Sequence, residues 1–311
     1  MKKQKIIVIL GPTATGKSSL AVEVAEEFGG EIISADSVQV YRYMDIGTAK
    51  PPPEVRERIP HHLIDVVDPD EGFSAGLFRK LAEEAIAEIG KEGRMPIVAG
   101  GTGLYIKALI SGLIEGVEGD EVIRRRLSEE ARAPGGGERL YLRLREVDPA
   151  SAERIHPHDI YRIIRALEIY EVLGLPPSRV RGAHRFSKSP YDVLKIGLIK
   201  EREELYKGID RRVDMMVKEG LREETLRLLS MGYGPELRSM QSIGYRQMVR
   251  HIRGEYDLEE AIRLIKRDTR RLAKRQITWF KPDREIQWYR YPEQRDEILR
   301  LIRSFWERGK R

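Results

Sequence analysis

The chain of 311 residues contains no cysteine and no asparagine. Without cysteine it forms no disulfide, no thiolate zinc site and no iron–sulfur cluster, and it has no thiol nucleophile. Without asparagine it has no N-glycosylation acceptor. No run approaches the roughly 18 consecutive apolar residues of a membrane-spanning helix. The apolar run at residues 6–10 follows lysines, as a secretory leader would. It is short, however, and meets a glycine-rich turn, which fits a buried strand instead. A cytoplasmic location is therefore expected. Neither sign of charge dominates: the net charge is +6 and the pI about 9.3. That excess points to an anionic partner only if it is clustered. What the chain does have is 41% hydrophobic residues, enough for a buried core, and 34% charged residues. The high charge and the missing thermolabile types follow a thermophilic trend.

The first third alternates strand and helix. Residues 5–10 and 96–99 are continuous apolar runs, typical of parallel strands buried on both faces. Residues 31–35 and 63–67 read as further strands, and residues 18–28 and 74–91 as helices. This order predicts an α/β fold with a P-loop NTPase-like core, a mostly parallel sheet flanked by helices. Residues 120–131, 138–146 and 159–173 are helical in pattern, with a Pro-Gly-Gly-Gly break at 134–137. Residues 179–190 read as a polar, basic loop, and 193–199 as a strand that returns to the sheet. The expected organisation is a catalytic core of residues 1–115 and 191–311, interrupted by a helical insertion domain at 116–190. Helices are expected at 202–219, 221–231, 242–253, 258–279 and 293–308, and a last strand at 285–289.

Gly11, Pro12, Thr13, Ala14, Thr15, Gly16, Lys17 and Ser18 fit G-x-x-x-x-G-K-[ST], the phosphate-binding P-loop, with a strand before it and a helix after it. Glycines let backbone N–H groups turn inward around phosphate oxygens, and the helix N-terminus adds its positive dipole end. Lys17 supplies a point charge, and Ser18 can ligate Mg²⁺ through its hydroxyl. The motif specifies a polyphosphate rather than ATP. Many P-loop enzymes end a later strand on an acid that helps to hold the metal. Here residues 96–99 run into Gly100-Gly101-Thr102-Gly103 with no acid. The candidate is instead Asp36, at the end of strand 31–35. Parallel strands end on one side of the sheet, so Asp36 and Thr102 should lie beside the phosphate loop. Asp36 could ligate metal, act as a base, or only begin a turn. Thr102 could approach a ligand or cap a helix.

These blocks resemble one family, the bacterial tRNA dimethylallyltransferases. The resemblance rests on the P-loop, Ser34-Ala-Asp36-Ser37-Val38-Gln39-Val40-Tyr41, residues 44–51 (MDIGTAKP) and residues 100–105 (GGTGLY). It continues through residues 161–168 (YRIIRALE), 241–247 (QSIGYRQ) and 274–280 (KRQITWF). Order and spacing hold over nearly the whole chain. One departure is His158, where the family usually has Asn. The resemblance implies transfer of a dimethylallyl group from dimethylallyl diphosphate to the exocyclic amine of the adenosine 3′ of the anticodon, with Mg²⁺ as cofactor. It implies that the P-loop holds the donor's diphosphate, that Lys17, Thr102 and Arg212 assist the leaving group, and that Asp36 is the base. It implies tRNA contacts by Asp36, Ser37, Val38, Gln39, Thr102, Arg124, Arg162, Arg165, Gln241, Gly244, Tyr245, Arg246, Lys274 and Arg275. It also implies a monomer. From spacing alone Arg212 reads as part of a solvated helix face, and Tyr245 as either a stacking or a packed ring.

The charge supports an RNA partner independently. Residues 238–281 hold 12 Lys and Arg against 5 Asp and Glu, a net of +7, so the rest of the chain nets −1. On the helix from Leu258, the residues Leu258, Ile262, Ile265, Leu272 and Phe280 form an apolar stripe, while Arg263, Arg267, Arg270 and Lys274 share another face suited to phosphates. His61 and His62 have no second ligand pair at metal spacing. Trp279, Phe280 and Trp288 read as core. A P-loop kinase, a non-catalytic RNA-binding protein, and prenyl transfer to free adenine nucleotide are the competing readings.

Overall fold

The computed structural model describes residues 3–112, 119–183 and 189–308. The chain divides into two compact units, Met1–Ile110 with Ser189–Arg311, and Ser111–Lys188.

The first unit is built on a six-stranded sheet: β1 (Gln4–Leu10), β2 (Gly30–Ala35), β3 (His61–His62), β4 (Met95–Gly100), β5 (Tyr191–Leu198) and β6 (Gln287–Tyr289). The order is β3-β2-β4-β1-β5-β6, and every pairing is parallel. Its helices before the second unit are α1 (Lys17–Phe28), α2 (Pro53–Arg58), α3 (Ala75–Lys91) and α4 (Gly103–Ser111). The second unit holds α5 (Glu121–Arg132), α6 (Gly136–Val147), α7 (Pro149–Ala152), α8 (Ile160–Leu173) and α9 (Pro177–Ala183). The first unit resumes with α10 (Arg202–Lys218), α11 (Leu221–Ser230), α12 (Tyr245–Ile252), α13 (Leu258–Phe280) and α14 (Arg295–Glu307).

The period of two along each strand sorts side chains into two cores. Ile6, Val8 and Leu10 of β1 join Ile33, Val98 and the apolar faces of α3, α10 and α13. Ile7 and Ile9 join Ile32, Ile97 and Ile196 beneath α1 and α14. Residues 6–10 are almost wholly buried, each side chain stabilising the fold by ~2 kcal/mol. This is why β1 reads as an unbroken apolar run. The second unit has its own small core, in which Leu127, Leu140, Leu144, Ile163 and Leu167 are fully buried.

Two expectations change. The strand predicted at 63–67 lies instead at His61–His62, because Leu63 and Asp65 adopt positive φ and break the extended run. The segment still bonds to residues 39–42, with an isolated bridge between Val67 and Tyr41. Part of the segment predicted as loop, 179–190, is helical to Ala183, and residues 184–188 lie outside the described residues, as does the expected boundary at 115–116. No helix among the described residues is long and apolar enough to cross a membrane.

Parallel strands bring the chain after β1, β2 and β4 to one edge of the sheet: Gly11, Asp36 and Gly101-Thr102. The turn out of β1 is steric as well as topological. Gly11 has φ +139°, and a Cβ there would lie 2.4 Å from the carbonyl oxygen of Leu198 in β5. Gly11→Ala should therefore cost roughly 2–4 kcal/mol and lower the melting temperature by several degrees. Thermal unfolding followed by circular dichroism checks this.

Candidate active site

The phosphate loop closes on itself. Thr15 is buried and its hydroxyl donates to the carbonyl of Pro12 (2.8 Å); Lys17 Nζ donates to the same oxygen (2.6 Å). Gly16 takes the left-handed region and leads directly into α1, so the first amides of that helix face the loop. Thr13 N–H does not point into the cradle. It donates to Oε1 of Gln276 on α13 (2.9 Å).

Three charged groups converge on this loop. Burial pushes the Lys17 ammonium down to about 7, Arg212 on α10 pushes it further the same way, and Asp36 opposes both. Burial also lowers Arg212, with Asp36 again opposing. Arg212 is half-buried and desolvated, unlike the solvated helix residue that its spacing suggests, and it has no hydrogen-bond or ion-pair partner among the described residues. One carboxylate thus faces two cations in a desolvated turn.

Asp36 is oriented by its own turn. Its Oδ1 accepts from Val38 N–H (2.9 Å) and Gln39 N–H (3.4 Å). Its Oδ2 has no hydrogen bond among the described residues. Thr102 holds this turn from the next strand end: its hydroxyl accepts from Ser37 N–H (3.0 Å) rather than capping α4. The side chain of Gln39 is buried and committed to the protein, accepting from Ser34 and donating to the carbonyls of Thr48 and Ala49.

Helix α13 presents different residues on each side. Arg246, Arg250 and Arg253 of α12 and its C-cap, with Arg267, Arg271 and Arg275 of α13, line a groove of about 670 Å³. Asp268 in its floor accepts from Arg246 (2.6 Å), Gln247 (2.9 Å) and Arg267 (2.9 Å). Burial alone would raise that carboxyl; the bonds from Arg267 and Arg246 outweigh it and hold it below its ordinary range. Arg253 and Arg275 have no ion-pair partner among the described residues. The opposite flank carries Lys274, which with Lys200, Arg202, Lys281 and Arg284 rims a second concavity around Tyr206.

This splits the single basic face expected on α13. Arg270 pairs with Asp210 and lies over the Tyr206 ring, and Lys266 pairs with Asp214 (2.6 Å), so these residues tie α13 to α10. Arg263 is bound by Glu260 one turn earlier (2.6 Å). The apolar stripe is where it was expected, with Ile265 and Phe280 buried; Trp279, in contrast, is 48% exposed and packs over Gly103.

A family model described as IPP transferase matches residues 39–283. The chain belongs to the IPP transferase family. It is 53% identical over 304 residues to tRNA dimethylallyltransferase 2 of Geotalea uraniireducens, and 52% identical over 305 residues to tRNA dimethylallyltransferase of Geobacter metallireducens. Each alignment covers 98% of both chains. A full-length tRNA isopentenylpyrophosphate transferase from Bacillus halodurans matches with a TM-score of 0.73 and 42% identity, over 98% of each chain. A eukaryotic dimethylallyltransferase crystallised acting on tRNA matches with a TM-score of 0.82 and 31% identity, over 96% of this chain and 78% of that one.

Within this family frame, the other residues singled out from sequence fall in four places. Ser18 is exposed on the first turn of α1, and Gln241, whose amide donates to Pro235, lines the arginine groove. Arg124 and Arg165, in the second unit, both pair with the fully buried Glu168 (2.9 and 2.8 Å), while Arg162 is exposed beside Asp159 (3.4 Å). Gly244 and Tyr245 are buried, and the Tyr245 hydroxyl donates to Glu224 (2.6 Å), so that ring is packed and not a stacking surface. Glu224 was not legible in the sequence. It is buried on α11 and accepts from the amides of Asp45, Ile46 and Gly47 (2.9, 2.9 and 3.1 Å), holding the loop after Asp36 in shape. Nothing around it departs from an ordinary charged helix pattern.

His62 binds Glu31 (2.6 Å) and His61 meets the Ile59 carbonyl (2.7 Å), and no group of three or more His, Cys, Asp or Glu among the described residues could cage a metal. Near the phosphate loop, the Ser18 hydroxyl and Asp36 Oδ2 have no hydrogen bond among the described residues. So sparse and hard a donor set fits Mg²⁺, which keeps waters and takes phosphate oxygens, and does not fit zinc.

The depressed Lys17 also bears on stability. The unfolded chain holds this proton up to about pH 10.4, whereas the folded protein releases it from about pH 7. The cost of burying the charge is fully present below pH 7 and declines as pH rises toward 10. Lys17→Met should therefore raise the melting temperature of the ligand-free protein at pH 6–7, by an amount that shrinks toward pH 10. Calorimetric scans across that range check it.

Proposed function

We propose that this enzyme transfers a dimethylallyl group from dimethylallyl diphosphate to N6 of the adenosine immediately 3′ of the anticodon in tRNA. The products are N6-dimethylallyladenosine and diphosphate. Its family and relatives make it a tRNA-prenylating transferase; the donor site and the division of labour among residues are our reading, which the geometry supports. The observation that carries the reading is the pair of desolvated cations, Lys17 and Arg212, beside the single carboxylate Asp36.

In the reaction the allylic C–O bond breaks, and negative charge grows on the departing diphosphate. Lys17, Arg212 and the first amides of α1 face that charge where little water competes, so their interaction strengthens as the bond breaks. The donor's charge also restores the proton to Lys17, so the site reaches its full positive charge only when loaded. The adenine amine is a poor nucleophile because its lone pair is delocalised into the ring. Asp36 Oδ2, which has no hydrogen bond among the described residues, takes the proton that the amine loses as the new C–N bond forms. Thr102, bonded to Ser37 N–H, fixes the height of the Asp36 turn. Mg²⁺, held by Ser18 and diphosphate oxygens, would supply further charge stabilisation of the leaving group.

The target base lies within an anticodon loop and must turn out of its stack to be reached. The arginine groove between α12 and α13 suits the flanking phosphates. A free nucleotide offers no strand of phosphates to occupy it, which favours tRNA as acceptor over AMP or ADP. A kinase reading leaves the groove without a use.

Purified protein, Mg²⁺ and labelled dimethylallyl diphosphate should place label in undermodified tRNA. Label in AMP instead, or consumption of ATP, would refute the reading. Asp36→Asn is expected to lower turnover at least 100-fold while tRNA affinity stays within about three-fold. Loss of affinity without a rate defect would reassign Asp36 to recognition. The double variant Arg253→Ala/Arg275→Ala should weaken tRNA binding and reduce the slope of log K against log salt by about 2. An unchanged slope would place the RNA elsewhere.

A further inference from the structure

The carboxamide of Gln276 joins two loops that the reaction needs in register. Its Oε1 accepts from Thr13 N–H in the phosphate loop (2.9 Å), and its Nε2 donates to the Gly101 carbonyl in the turn after β4 (3.1 Å). The fit is close: a Cβ on Gly101 would lie 2.2 Å from Nε2. One residue further on, Thr102 holds Ser37 and so the Asp36 turn. Gln276 is also one residue from Arg275 and five from Arg271, both of which line the arginine groove. Trp279, one turn later on α13, covers Gly103 on the same glycine-rich segment. A single helix therefore presents arginines to the groove and a carboxamide to the donor loop.

The choice of side chain is informative. Thr13 N–H is one of the loop amides that a P-loop could turn toward phosphate, yet it is committed to Gln276. The other end of the carboxamide must donate, because Gly101 offers a carbonyl. Glutamate, of the same shape, satisfies the first contact and opposes the second. Leucine or alanine satisfies neither and leaves Thr13 N–H and the Gly101 carbonyl without that partner in a half-buried place.

We infer that Gln276 is a positioning residue that locks the phosphate loop to the Gly101-Thr102 turn, and that through it occupation of the arginine groove by RNA and binding of the donor diphosphate are linked. Anything that shifts α13 when RNA fills the groove moves Thr13 and Gly101 together. By reciprocity, a ligand that fixes the phosphate loop favours the RNA-bound setting of α13. This rests on the proposed function for the identity of both ligands.

The test uses full-length protein and pyrophosphate as the probe, with binding measured by calorimetry in Mg²⁺ buffer with and without a saturating tRNA anticodon stem-loop. In the unaltered protein the two pyrophosphate affinities should differ at least five-fold. In Gln276→Ala the ratio should fall below two-fold, with RNA affinity within two-fold of the unaltered protein and turnover lowered at least ten-fold. Gln276→Glu, which keeps the Thr13 contact and the side-chain volume, serves if the alanine variant does not fold; its ratio should also drop below two-fold. A ratio of one in the unaltered protein, the full ratio in both variants, or a parallel loss of RNA affinity would overturn the inference. Prenyl transfer to full tRNA is scored separately. Its absence from the unaltered protein would refute the activity reading, whereas transfer with an unchanged ratio in both variants would refute the role of Gln276 alone.

Discussion

Two half-buried cations, Lys17 and Arg212, meet at one turn of the chain with a single carboxylate to offset them. Burial depresses the charge of both, Arg212 lowers Lys17 further, and Asp36 recovers only part of the loss. A fold that placed them there for stability alone would be poorly served, because burying unpaired charge costs free energy. The arrangement makes sense as one completed by a polyanion. The parallel sheet, the tight exit at Gly11 and the self-bonded loop of Pro12, Thr15 and Lys17 all hold that incomplete charge in place.

The same constraint organises the acceptor side. The base must reach the donor's allylic carbon, so the Asp36 turn and the phosphate loop need a fixed relation. Adjacent strand ends supply most of it, through the β2, β4 and β1 order. Side chains supply the rest: Thr102 to Ser37, Gln276 to Thr13 and Gly101, and Glu224 to the three amides of residues 45–47. The positive charge concentrated between residues 238 and 281 is divided by α13. Arg270 and Lys266 brace the helix against α10, and other arginines are left for an anion in the groove with α12.

What the sequence made legible follows from short-range physics. The apolar run of β1, the phosphate loop and the long helix at 258–280 each declare themselves through local pattern, since both faces of β1 are buried and α13 keeps one apolar stripe. The family blocks then brought Asp36, Thr102 and Arg212 together, although Arg212 alone resembles any exposed helical arginine. Long-range pairing was not legible. Asp210 removes Arg270 from the RNA face and Glu224 draws Tyr245 inside, and neither partner is near in sequence. The strand expected at 63–67 failed for a backbone reason, the left-handed turns at Leu63 and Asp65, which non-glycine residues rarely announce. Gln276 lay within a recognised block, but only the fold shows that its two ends meet two different loops.

The charge state of Lys17 is the quantity on which these arguments converge, and it can be observed. Protein labelled with ¹³C at lysine Cε, with the Lys17 signal assigned by its loss in Lys17→Met, can be titrated by NMR with and without pyrophosphate and Mg²⁺. Lys17 should titrate near pH 7 in the free protein and remain protonated beyond pH 9 once pyrophosphate is bound. A signal that titrates near pH 10 in both states would show that the empty site carries its full charge, and would contradict the picture of a site completed by its ligand.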